Sequence, residues 1–158
     1  MDKYNEFLTI AKTLNQELKI IPVLYGSLGL SRVAKVDFSP QDIDILVPFI
    51  FLKERWPELK TTIEGLGYEL TDLHEHEFRK AEFKIGIAFV EDLKPFADVD
   101  HSSLIENVDD RAVYYTLSIS DYKKVYSKSL LDGYRRNKNN NKDQRKLDFL
   151  DEFEQKRH

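Results

Sequence analysis

The run Gln41-Asp42-Ile43-Asp44-Ile45-Leu46-Val47 restricts the fold of this chain more than any other segment. Aliphatic residues alternate with two acids, the period-two pattern of a β-strand with one buried face. Side chains two apart on a strand share a face, so Asp42 and Asp44 emerge together while Ile43, Ile45 and Val47 enter a core. Two carboxylates held that close repel, and a fold keeps such a pair most readily where a cation neutralises it. Upstream, Ile20-Ile21-Pro22-Val23-Leu24-Tyr25 reads as a buried strand that stops at Gly26-Ser27. Glycine lets a backbone approach a ligand closely. A helix opening at Ser27 would turn free N–H groups and a positive dipole end towards a phosphate.

Gly26-Ser27 followed by Asp42-Ile43-Asp44 resembles the nucleotidyltransferase fold of the DNA polymerase β type. The likeness is to the small single-domain bacterial members, among them antibiotic-modifying and toxin–antitoxin-associated enzymes. It is specific over residues 20–48 and in the right order over the rest. It implies an α/β (α+β) architecture: a small mixed sheet flanked by helices, with further helices at the C-terminal end. It also implies transfer of a nucleoside monophosphate from a nucleoside triphosphate to an acceptor. By resemblance, Asp42 and Asp44 bind Mg²⁺ (or Mn²⁺), and Gly26 and Ser27 hold the β- and γ-phosphates. Hard cations of this kind take oxygen ligands, which suits two aspartates.

The family places a third carboxylate on a neighbouring strand. Here Phe83, Ile85, Ile87 and Phe89 alternate with Lys84, Gly86 and Ala88, and Gly86 stands about where that acid is expected. Glu75 and Glu77, in His74-Glu75-His76-Glu77, are the substitutes if that stretch is a strand twisting towards the cleft. The competing reading is an exposed polar strand. His74 and His76 have the spacing of a metal pair, although no third zinc ligand is evident. A second likeness lies late in the chain. Lys142-Asp143, after Tyr126-Ser127-Lys128 and Arg135-Arg136, is similar to a basic helical motif of the small bacterial members. Lys142 and Arg135 are then triphosphate contacts; the alternative is surface charge with Asn141 or Asp143 capping a helix.

The remaining elements follow from periodicity. Residues 3–18 carry a helical apolar stripe, as do residues 142–154. Trp56-Pro57 restarts a helix that Gly65 and Gly67 close. Residues 68–89 read as two strands joined by a tight turn near Lys80-Ala81, residues 93–104 as irregular, and 113–116 as a short strand. Ser118 and Asp121 have capping-box spacing before a helix that ends near Gly133. The 158 residues read as one domain, with a core over about 1–105 and a helical part over about 118–158.

With no cysteine, the chain has neither disulfides nor a thiolate nucleophile. No signal-peptide pattern and no membrane-spanning apolar run is evident, so a cytoplasmic protein is expected. Residues 121–158 hold 11 lysines and arginines against 7 acids, leaving 13 against 21 elsewhere. An acidic body with a basic end argues against broad duplex-DNA binding and suits a cleft that shares a polyphosphate between metal and basic side chains. The acceptor is undetermined: small molecule, RNA and protein all fit. A chain this short is expected to need a second subunit or a partner protein to complete an acceptor pocket. Two rival readings stay open: a degenerate fold member that binds nucleotide or protein without turnover, and a single-stranded nucleic-acid binder using Tyr134, Arg135 and Arg136.

Overall fold

Parallel and antiparallel pairing meet at the acidic strand and give the molecule its layout. The computed structural model describes residues 2–131 and 144–152. The elements in chain order are α1 (Lys3–Leu18), β1 (Val23–Tyr25), α2 (Gly26–Ala34), β2 (Ile43–Val47), α3 (Trp56–Gly65), β3 (Glu69–Asp72), β4 (Glu77–Lys80) and β5 (Phe83–Phe89). They continue with α4 (Leu93–Ala97), β6 (Ile105–Asp109), β7 (Ala112–Thr116), α5 (Ile119–Leu131) and a helical segment, α6, over 144–152. The described strands form one mixed sheet in the order β3-β4-β5-β2-β1-β7-β6. β2 runs antiparallel to β1 and parallel to β5, so the acidic strand is central.

The sheet has a core on each face. Ile43, Ile45, Val47, Ile85 and Ile87 point to one side, where Phe7, Leu14, Leu59 and Ile63 of α1 and α3 cover them. Val23 and Leu46 point to the other, under Leu30 of α2, Leu93 of α4, Tyr122 and Val125 of α5 and Leu150 of α6. Burying each aliphatic side chain contributes about 1.5–3 kcal/mol before entropy is counted. Asp2 caps α1, accepting from the Tyr4 N–H at 2.8 Å. Tyr4 Oη then donates to Asp109 at 2.7 Å and meets the Tyr114 hydroxyl at 2.8 Å, tying α1 to β6 and β7. Asn15 completes the seam: its amide donates to the Ile20 and Val113 carbonyls and accepts from the Val113 N–H at 2.9 Å.

Three sequence expectations change. Residues 68–89 form three strands rather than two, because Leu73, His74, Glu75 and His76 make a turn. The Asp72 carboxylate accepts from the Glu75 N–H at 3.1 Å, and His76 adopts a positive φ of 53°. A side chain that satisfies the backbone locally competes with strand pairing, so the alternation at 74–77 is not a strand pattern and Glu75 does not sit on one. β6 was absent from the sequence reading. It is an exposed edge strand, and its turn to β7 uses Asp110 and Arg111, both at positive φ without a glycine to announce it. Residues 93–97, expected to be irregular, form the short helix α4. Among the described residues no helix is long and apolar enough to cross a membrane.

Candidate active site

Antiparallel register brings the glycine-serine turn to the acids. Tyr25 pairs with Asp44, so the residue after Tyr25 necessarily lies beside the Asp44 side chain. Gly26 there has φ +63°, and a Cβ at Gly26 would sit 2.5 Å from Asp44 Oδ2. Only glycine combines that backbone with that approach. α2 starts at once, with no acid in its first turn, and Ser27 lines the same cleft. The turn is held from behind: Tyr122 Oη donates to the Leu24 carbonyl at 2.7 Å, and burial pushes the Tyr122 hydroxyl pKa up, keeping it a donor.

β5 supplies the second wall. Gly86 pairs with Asp44 on one side and with Glu77 of β4 on the other, so Asp44, Gly86 and Glu77 form one cross-strand row. A Cβ at Gly86 would meet Asp44 Oδ1 at 3.0 Å. The missing side chain therefore leaves open space between the two carboxylates. Lys84 lies one row away on the same face. Its ammonium is 3.2 Å from Glu77 Oε1 and 3.9 Å from Asp42 Oδ2.

Across the gap stand α5 and α6. The cleft, about 510 Å³, is bounded by Gly26, Ser27, Asp44, Glu75, Glu77 and Gly86 on the sheet side and by Tyr126, Ser129 and Lys146 on the helical side. Ser129 and Lys146 are polar yet buried, 4% and 9% exposed. The Lys146 ammonium lies 5.2 Å from the centroid of the Tyr126 ring, within cation–π range. The sheet side thus carries the acids and the N-terminus of α2, while the helical side presents a cation and a hydroxyl.

Of the residues expected from sequence, Gly26, Ser27, Asp44, Glu75 and Glu77 line this cleft; Asp42 does not, and its carboxylate instead lies 3.9 Å from the Lys84 ammonium beside it. Lys142 and Arg135, with Tyr134, Arg136, Asn141 and Asp143, lie outside the described residues. The zinc pair does not form. His74 is exposed, whereas His76 packs edge-to-face against Trp56 with ring centroids 4.9 Å apart. Among the described residues no group of three or more histidines and acids is gathered to hold a metal ion. What exists is a cradle: Asp44 offers hard oxygen donors between two glycines whose Cβ atoms would fill the space, with Asp42 next on the same face. That donor set suits Mg²⁺ or Mn²⁺. Lys84, Ser129 and Lys146 were not singled out as site residues from sequence. Lys146 had one available signal: it is a lysine beside the apolar positions Leu147 and Leu150.

No family model matches the chain. It is 59% identical over 153 residues to the uncharacterized protein YnaI of Bacillus subtilis (strain 168), which spans 97% of this chain and 98% of that one. Among solved structures, the solution structure of the antibiotic-resistance factor ANT(2'')-Ia matches with a TM-score of 0.55 at 16% identity. The match covers 99% of this chain and 94% of that chain.

Proposed function

Because the chain belongs to the family of Bacillus subtilis YnaI and carries the nucleotidyltransferase fold, we propose that it is a cytoplasmic nucleotidyltransferase. It moves a nucleoside monophosphate from a triphosphate to the hydroxyl of an acceptor. The observation that carries this reading is the seating of the Asp44 carboxylate between Gly26 and Gly86, beside the N-terminus of α2. An acid-bearing strand, a cleft and the N-terminus of a helix with no acid in its first turn converge there, a combination that suits nucleotidyl transfer.

The roles divide by wall. Gly26 and Ser27 accept the triphosphate on backbone N–H groups and one hydroxyl. Lys146 and Ser129 approach it from the helical side, with Lys142 and Arg135 further expected contacts. The acceptor oxygen attacks the α-phosphorus, the bond to the β-phosphate oxygen breaks, and pyrophosphate leaves. Glu77, in the cross-strand row of Asp44 and Gly86, takes the acceptor's proton; Glu75, in the turn before β4, is the alternative base. Asp42 and Asp44 would hold Mg²⁺ or Mn²⁺, which neutralises charge on the reacting oxygens when bound. Small molecules, RNA ends and protein hydroxyls all have the acceptor oxygen that this step requires.

The test is pyrophosphate release from each of the four nucleoside triphosphates with Mg²⁺ or Mn²⁺ across an acceptor panel. Asp44→Asn should lower the rate more than about 100-fold, since removing a metal ligand exceeds the 10–100-fold cost of disturbing its surroundings. Saturable triphosphate binding with no pyrophosphate under any condition would replace this reading with a non-catalytic nucleotide-binding role, which the glycine at position 86 favours.

A further inference from the structure

We propose that Lys84 is the built-in cation of this site: its ammonium takes the place between Asp42 and Glu77 that a second divalent ion would otherwise fill. The chain therefore loads one divalent ion where its carboxylates have oxygens enough for two. The inference rests on the reading of Asp42, Asp44 and Glu77 as the site's acids.

The sheet lattice carries the argument. On this face β2 presents Asp44, with Asp42 just before the strand begins, β5 presents Lys84 and Gly86, and β4 presents Glu77 and Arg79. Lys84 pairs with Arg79 across β4, so its stem starts between two strands of opposite charge. Its ammonium could turn out to solvent. It instead lies 3.2 Å from Glu77 Oε1 and 3.9 Å from Asp42 Oδ2, with its side chain 24% exposed. An ammonium between two carboxylates supplies one positive charge to the pair, half that of a divalent ion, and it has no open coordination position for a phosphate oxygen. Lys84 also holds Glu77 Oε1 at 3.2 Å, which makes it a positioning residue for that carboxylate.

The consequence is measurable without any reaction. A fixed positive charge within about 4 Å of a cation site weakens binding of a divalent ion at least tenfold at the effective dielectric of a protein surface. Titration of the full chain with Mn²⁺ alone, followed by electron paramagnetic resonance, should give one weak site. Lys84→Met should bind Mn²⁺ at least tenfold more tightly or take up a second ion. Lys84→Arg, which keeps the charge, should resemble the parent. Adding Asp42→Asn to Lys84→Met should cancel the gain. Metal-free Lys84→Met should also melt lower, because Asp42 and Glu77 lose their counter-ion, and Mg²⁺ should restore more of its melting temperature than it adds to the parent.

An unchanged or weakened Mn²⁺ affinity in Lys84→Met overturns the proposal, as does a gain that Lys84→Arg shares. A merely structural lysine would lower the melting temperature without tightening Mn²⁺. The proposed enzymatic reading fails separately, by absent pyrophosphate release, whatever the Mn²⁺ titration shows.

Discussion

Replacing Gly26 with alanine tests the contact on which the site is built. Two costs add. The first is conformational: an L-residue at φ +63° pays about 1–2 kcal/mol. The second is steric. The new methyl would sit 2.5 Å from Asp44 Oδ2, 3.2 Å from its Cγ and 3.3 Å from its Cβ, so the carboxylate must swing away or the turn must open. Overpacking of this kind costs about 1–3 kcal/mol. Gly26→Ala should therefore destabilise the fold by about 3 kcal/mol, a fall in Tm of roughly 6–12 °C for a chain of this length. Urea unfolding of a double-mutant cycle separates the two costs. Asp44→Ala removes Oδ2 and Cγ, so in that background Gly26→Ala should cost only the conformational part, leaving a coupling of about 1–2 kcal/mol. Gly86→Ala is the internal comparison. Its nearest contact is 3.0 Å, to the movable end of Asp44, and its φ is ordinary, so it should cost about 1 kcal/mol or less. Equal costs for Gly26→Ala with and without the Asp44 carboxylate would refute the proximity of turn and acid.

Other outcomes follow from the same geometry. Gly29→Ala would set a methyl 2.3 Å from the Tyr122 hydroxyl and 2.5 Å from the Leu24 carbonyl oxygen, so it should destabilise by more than about 3 kcal/mol in thermal melts. Tyr122→Phe, which removes only the hydrogen bond to Leu24, should cost about 1 kcal/mol. Ser129→Ala should leave Tm unchanged or slightly raised, since the buried hydroxyl has no hydrogen-bond partner among the described residues; with Lys146→Met it should weaken triphosphate binding, read by calorimetry. Burial beside Trp56, aided by the charge of Lys53, holds the His76 imidazole pKa below the usual histidine value. The unfolded chain therefore takes up that proton first as pH falls. Stability from this group is complete above the ordinary histidine pKa, about 6.5, and declines below it. His76→Asn should flatten the drop in Tm between about pH 7 and pH 5.

The strand, the turn and the acid pair were legible because each is a local pattern. Alternation over residues 43–47 depends on a two-residue period, and Gly26-Ser27 on a bend between adjacent elements. The same locality explains what was misread. Residues 74–77 alternate as a strand would, yet the Asp72 carboxylate makes a turn of them. β6 pairs only through a glycine-free turn on an exposed edge.

Sequence alone determined which chemistry-bearing residues the chain owns and which face of β2 they leave by. Tertiary structure decided who stands next to them. That Glu77, Gly86 and Asp44 share one cross-strand row, that Lys84 lies between Asp42 and Glu77, and that Lys146 closes the far wall all depend on strand order, register and helix docking. Those are set by burying two sheet faces at once. No short window of residues encodes that balance, because each contact joins segments separated by many residues and paid for by the whole core.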